Sequence, residues 1–197
     1  MSVKKVDFDF FKIHSKLNPQ KGRIIVSEPF LPGNYFSRAA VLIVDYSSNG
    51  AVGFILNKPI EKRFNEFLTI MPNFPFQVFS GGPVSNDNLY YIHTLGVKIS
   101  GSLKVKDELY WGGSFEELKL AIATGKAKPD QVKFFVGYSG WSSGQLEDEI
   151  SGNSWLVTES GINLIMKSNQ DFWLESVNNA GGHYKAWRNF PEDPNSN

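Results

Sequence analysis

No cysteine occurs among the 197 residues, which removes disulfides, thiolate nucleophiles and Cys-ligated metals together. The compartment is not fixed by that absence. A surplus of charge is also missing: Lys+Arg and Asp+Glu both number 20. Sequence-independent binding to nucleic acid or an anionic membrane needs positive charge, at least locally. The densest basic stretches, Lys4-Lys5 and residues 126–133, read as solvated surface. No apolar run approaches the ~20 residues that cross a bilayer; the longest aliphatic one covers residues 39–44. Residues 1–11 mix Lys4 and Lys5 with Asp7 and Asp9, unlike the apolar core of a secretory signal. A cytoplasmic protein is expected. Histidine is scarce too. His14, His93 and His183 are far apart and lack metal-ligand spacing, so neither a metal nor another cofactor is expected. Gly-x-Gly-x-x-Gly and Walker A patterns are absent as well.

What is present suits one domain of residues 22–178, preceded by a mobile arm or short helix over 1–21 and followed by a poorly ordered tail over 179–197. Residues 23–27 read as a strand. Residues 40–46 and 51–56 are β-branched and apolar, and Asn49-Gly50 between them favours the turn of an antiparallel hairpin. Phe64, Phe67, Leu68 and Met71 recur at helical spacing. Further strands are expected over 76–79, 89–93 and 109–111. Ser114 and Glu117 form the pattern of a capping box, in which each side chain bonds the other's free N–H. Phe115, Leu118 and Ile122 then line the buried stripe of that helix. Residues 132–138 are almost continuously apolar, as in a strand buried on both faces. A strand over 154–157 and a helix over 171–177 complete an α/β reading with α+β character: a mixed sheet curled around a core, with helices outside.

The densest chemical signal is Gly137-Tyr-Ser-Gly-Trp-Ser-Ser-Gly-Gln-Leu-Glu-Asp-Glu149. A sharp bend just past Tyr138, from strand towards helix, would leave unpaired N–H groups where a ligand can sit. Within it, Gly140-Trp-Ser-Ser-Gly144 fits the Gly-x-Ser-x-Gly elbow that exposes a nucleophilic serine. Ser142-x-x-Gln145 equally fits a capping box, which explains the same residues by helix initiation alone. Leu146 and Ile150 face inward, Gln145 and Glu149 share a flank, and Glu147 and Asp148 lie further out. Trp141, Gln145 and a carboxylate could together line a pocket for a small amphipathic ligand. Gly81-Gly82 could present successive N–H groups to an anion, although a double glycine is commonly just a turn. His93 reads as a hydrogen-bonded residue at a strand end.

The blocks Gly22-Arg-Ile-Ile-Val-Ser-Glu-Pro29, Phe36-Ser-Arg-Ala-Ala-Val-Leu-Ile43, Gly50-Ala-Val-Gly-Phe-Ile-Leu-Asn-Lys-Pro59, Ser80-Gly-Gly-Pro-Val84 and Gly137 to Glu147, with His93, Glu149 and Trp155, resemble the YqgE/AlgH family. The resemblance covers residues 22–178. It implies a bifurcated mixed sheet folded into a pseudo-barrel with flanking helices, in bacterial proteins of largely unknown biochemistry. Trp141, Gln145 and Glu147 match the family's fixed positions, whereas that of Ser142 varies, which argues against a serine nucleophile. Pro32-Gly33 replaces an Asp frequent in the family. Some members are labelled transcriptional regulators, yet no DNA-reading element is visible here. The expectation is a non-catalytic, cytoplasmic binding or regulatory protein. Its candidate binding residues are Trp141, Gln145, Glu147, Glu149, Gly81, Gly82 and His93. Its partner is a small ligand or a protein, and DNA and membranes are not expected. The alternatives are a hydrolase using Ser142 or a carboxylate near Glu147, and a regulator that binds DNA.

Overall fold

The computed structural model describes residues 12–13, 15–60 and 76–191. The hairpin at Asn49-Gly50 forms between β2 (Ala40–Ser47) and β3 (Gly50–Ile55), with Ser47 opposite Gly50. Gly50 has φ +127°, and a Cβ there would lie 2.1 Å from the Trp141 carbonyl oxygen. Only glycine allows that approach. On the far side of β2 lies β1 (Ile24–Ser27), and beyond it β10 (Trp155–Thr158).

The long strand β9 (Val132–Ser142) is where the sheet divides. Its carboxyl-terminal half pairs antiparallel with β3, from Gly53 opposite Ser139 to Gly50 opposite Ser142. Its amino-terminal half pairs in parallel with β5 (Val78–Ser80), which in turn pairs with β4 (Pro59–Ile60). The other edge of β9 carries β6 (Val84–His93), followed by β8 (Leu109–Trp111) and β7 (Leu103–Lys106). The sheet is therefore mixed and bifurcated, as the resemblance implies. Its main path runs from β10 to β7 without joining them, so it is not closed into a barrel.

Helices cover the sheet. In α1 (Phe115–Ala123) Leu118 is fully buried, with Phe115 and Ile122 packed beside it. Ser114 accepts a hydrogen bond from the Glu117 N–H, but the Glu117 carboxylate turns to the N–H and hydroxyl of Ser100. The expected box is thus half made, because a loop nitrogen competes for the carboxylate. Next come α2 (Gln145–Ser151) and α3 (Ile162–Lys167). The last helix, α4 (Phe172–Ala180), buries Phe172, Trp173 and Val177. Burial of this kind is worth about 1.5–3 kcal/mol per large side chain.

Two boundaries differ from expectation. The segment 179–191 is no loose tail: helical turns span Gly182–Asn189, with Tyr184 and Trp187 buried against the main core. Its Gly, Asn and Pro content conceals these two aromatic anchors, whose rings lie 5.2 Å apart. At the other end, Ile13 N–H donates to Asn153 Oδ1 and Val157 N–H donates to Ser15 Oγ. This part of the expected arm is tied down along β10. The helix expected around Phe64 to Met71 and residues 1–11 lie outside the described residues. Among the described residues no helix is long and apolar enough to cross a membrane.

Candidate functional site

The strand β9 does not give way to a helix just past Tyr138. Pairing with β3 carries it on to Ser142, and the turn falls at Ser143-Gly144, where Gly144 has φ +78°. Glycine content there does not break the strand, because β3 supplies ladder partners to residues 139–142. Trp141 consequently points inward and is only 6% exposed, with its ring 6.0 Å from Trp155 and 6.3 Å from Phe36.

Each polar neighbour of that indole is engaged internally. Trp141 Nε1–H and Trp155 Nε1–H both donate to Glu149 Oε2, at 2.9 and 2.7 Å. The other oxygen of Glu149 accepts from Gln145 Nε2 at 3.0 Å. Gln145 Oε1 accepts the Ser142 N–H at 3.0 Å and the Ser142 hydroxyl at 3.1 Å. This carboxylate–amide circuit fixes α2 to the end of β9. It also gives the Ser142 hydroxyl a partner that cannot take its proton, since an amide oxygen is no base. Glu147 and Asp148 are exposed on the outer side. Glu147 accepts a short bond from the Tyr46 hydroxyl, and that bond pushes the Tyr46 phenol up to about 12, with desolvation adding to it.

The other sequence-derived residues sit elsewhere along β9. Gly81 N–H donates to the Val136 carbonyl at 2.8 Å, so it offers nothing to an anion. Gly82 packs so closely that a Cβ would lie 2.3 Å from the Tyr138 carbonyl group. The double glycine is a device for close backbone packing, not an anion nest. His93 is opposite Val132, at the far end of the strand from Trp141. It is fully buried, and its Nδ1 accepts the Leu95 N–H at 3.2 Å. The proton therefore resides on Nε2, which faces Ser102 Oγ and the Gly112 carbonyl. Burial pushes its pKa down, and it stays neutral at physiological pH.

A second constellation, not found by the sequence reading, surrounds Asn57. This side chain is 5% exposed; its Oδ1 accepts the Ala40 N–H at 2.9 Å and its Nδ2 donates to the Arg38 carbonyl at 2.8 Å. These bonds hold Arg38 at φ +48°, a left-handed conformation costing a non-glycine residue about 1–2 kcal/mol. The Arg38 guanidinium lies 5.0 Å from the Trp173 ring and donates to the carbonyls of Phe190 and Pro191. Beside it opens a cleft of about 560 Å³, lined also by Lys58, Gln170 and Asp171. Behind the cleft wall, Lys133 is 4% exposed. Its ammonium group sits 3.6 Å from the centre of the Phe79 ring and donates to the Ser168 carbonyl. The Ser168 hydroxyl reaches the Leu56 carbonyl at 3.3 Å. Desolvation lowers the Lys133 pKa to about 7. The expectation of solvated surface for residues 126–133 therefore fails at Lys133. The missed signal was a lone cation inside an otherwise apolar strand.

These features define an α+β domain built on one open, bifurcated sheet. Among the described residues no three His, Cys, Asp or Glu side chains gather to hold a metal ion. The chain belongs to the AlgH-like family, whose model matches residues 24–185. It is 40% identical over 190 residues to a UPF0301 protein of Parabacteroides distasonis, covering 94% of this chain and 96% of that one. A UPF0301 protein of Bacteroides thetaiotaomicron is 36% identical over 197 residues, with 98% and 99% covered. None of these names states an activity. The crystal structure of protein DIP2367 from Corynebacterium diphtheriae superposes with a TM-score of 0.75 at 18% identity, over 90% of this chain and 95% of that one. The solution structure of the AlgH protein from Pseudomonas aeruginosa gives 0.66 at 23% identity, over 82% and 89%. Both neighbours share the fold.

Proposed function

We propose that this chain is a non-catalytic, cytoplasmic binding protein, and that its small-ligand site is the cleft between residues 57–59 and the start of α4. The observation that carries the reading is Arg38, held in a left-handed conformation by buried Asn57 at the edge of that cleft. Backbone strain over-determined by its surroundings concentrates at sites that position ligands. Arg38 and Lys58 bring two positive charges against the one negative charge of Asp171, with the amide of Gln170 nearby. That set suits a small molecule with a carboxylate or phosphate and one hydrogen-bond donor. The cleft volume is within the usual range for such sites, about 300–1,000 Å³.

Trp141, Gln145 and Glu149 form the frame in this reading, because their polar atoms are already paired. Exposed Glu147 and Asp148 are the members of that region still open to a protein partner. A thermal-shift screen of small carboxylates and phosphates tests the cleft. A compound at 100 times its Kd adds about 2.7 kcal/mol of stability, and Lys58→Ala or Gln170→Ala removes that shift. A panel without any hit, or hits indifferent to both substitutions, would count against the site. Labelling by a serine-directed activity probe that is lost in Ser142→Ala would overturn the non-catalytic part. Cell fractionation checks the compartment.

A further inference from the structure

A second opening shares no lining residue with the cleft. It is a groove of about 560 Å³ between α1 and the helical turn Gly96–Lys98, floored by Leu95, Ile99 and Ala121. Its rim is apolar and uncovered: Leu120 is 65% exposed, and neighbouring Val97 is 87% exposed. Single exposed apolar residues are ordinary on protein surfaces, but an apolar rim continuous with an apolar groove marks a place for a partner.

The polar groups of the groove narrow the choice of partner. Glu117 spends both carboxylate oxygens on Ser100, at 2.6 and 2.9 Å. The Thr124 hydroxyl donates to the Leu120 carbonyl at 2.8 Å. What remains is two ammonium groups, Lys98 and Lys126, both exposed and neither ion-paired with any described residue. The groove therefore offers aliphatic surface and a net positive charge, its two ammonium groups outnumbering the single Glu117 carboxylate, which stays ionised against Ser100.

We infer that this groove binds a medium-chain anionic amphiphile, its alkyl chain along Leu95, Ile99 and Leu120 and its head group between Lys98 and Lys126. The net positive charge selects an anionic head, and the aliphatic lining of Leu95, Ile99, Leu120 and Ala121 selects a hydrocarbon tail. Each methylene that enters the groove tightens binding about fourfold.

The test is calorimetric titration of the full chain with hexanoate, octanoate and decanoate below their micelle concentrations, with decanol and decyltrimethylammonium as controls. Affinity is expected to rise roughly fifteenfold per two carbons, and decanoate is expected to bind more tightly than either control. Leu120→Asp, on the exposed side of α1, abolishes decanoate binding without altering the thermal transition. The double variant Lys98→Ala/Lys126→Ala weakens decanoate several-fold and leaves decanol unchanged. Equal binding of decanoate and decyltrimethylammonium, or affinity independent of chain length, would overturn the proposal. So would binding of an acidic amphipathic peptide where decanoate fails to bind.

Discussion

Replacing Lys133 by Met tests the energetics of the core behind the cleft. In the folded chain burial holds this amine at a pKa of about 7, against 10.5 for an unperturbed lysine. Between those values the unfolded chain carries a proton that the folded chain has released, so raising the pH favours folding. Each pH unit well inside that window is worth about 1.4 kcal/mol. Below about pH 7 the ammonium is present in both states, its burial cost is felt in full, and its contribution is flat. From pH 7 to 9 the wild type is therefore expected to gain about 2 kcal/mol. The other shifted groups leave this window clear. His93 has a lowered pKa and acts below its ordinary value of 6.5, whereas Tyr46 and Tyr91, both raised to about 12, act only above pH 10. Met keeps the linear side chain over Phe79 and removes the titration. Urea unfolding at pH 7, 8 and 9 measures the difference in slope between the two proteins. Their absolute stabilities do not isolate the effect, since Lys133→Met also strips the Ser168 carbonyl of its donor. Parallel pH curves for wild type and Lys133→Met would refute the reasoning.

Three further substitutions probe the rest of the frame. Glu149→Ala leaves two indole N–H groups, Trp141 and Trp155, without their shared acceptor, and is expected to cost about 2–4 kcal/mol in chemical denaturation. Asn57→Ala removes two buried hydrogen bonds and frees Arg38; a loss of about 2–3 kcal/mol is expected, together with loss of any thermal shift from cleft ligands. Glu147→Ala removes the hydrogen-bond acceptor, and with it the charge, that raise the Tyr46 phenol to about 12. Ultraviolet titration should then show one tyrosine moving back towards its ordinary value of 10, and an unchanged titration would contradict the assigned contact.

Much of the fold is legible in the sequence because local chemistry and tertiary pairing agree. Asn49-Gly50 sets the β2–β3 hairpin, Ser114 starts α1, and the apolar run from Val132 announces the central strand. By contrast β7, with the sequence Leu-Lys-Val-Lys, is a short edge strand whose Leu103 and Lys104 are exposed, so that it resembles a loop. The carboxyl-terminal turns are held by Tyr184 and Trp187, which anchor only because α4 presents a surface for them. Residue types around Trp141 suggest a lined hollow. Its closure depends on Phe36 and Trp155, which are remote in sequence and arrive through the pairing of β1 with β10 and β2. Arg38 gave no local signal at all, for its left-handed φ is imposed by Asn57 from the far end of the hairpin. Lys133 was hidden by neighbouring lysines that do face water.

The measurement closest to the central claim is an amide chemical-shift map of the chain with a thermal-shift hit added. Binding at the cleft predicts perturbations confined to residues 37–38, 57–59 and 170–174, with residues 141–149 unmoved. Perturbations centred on Trp141 to Glu149 would return the site to the place the sequence first suggested and contradict the role of that cluster as frame.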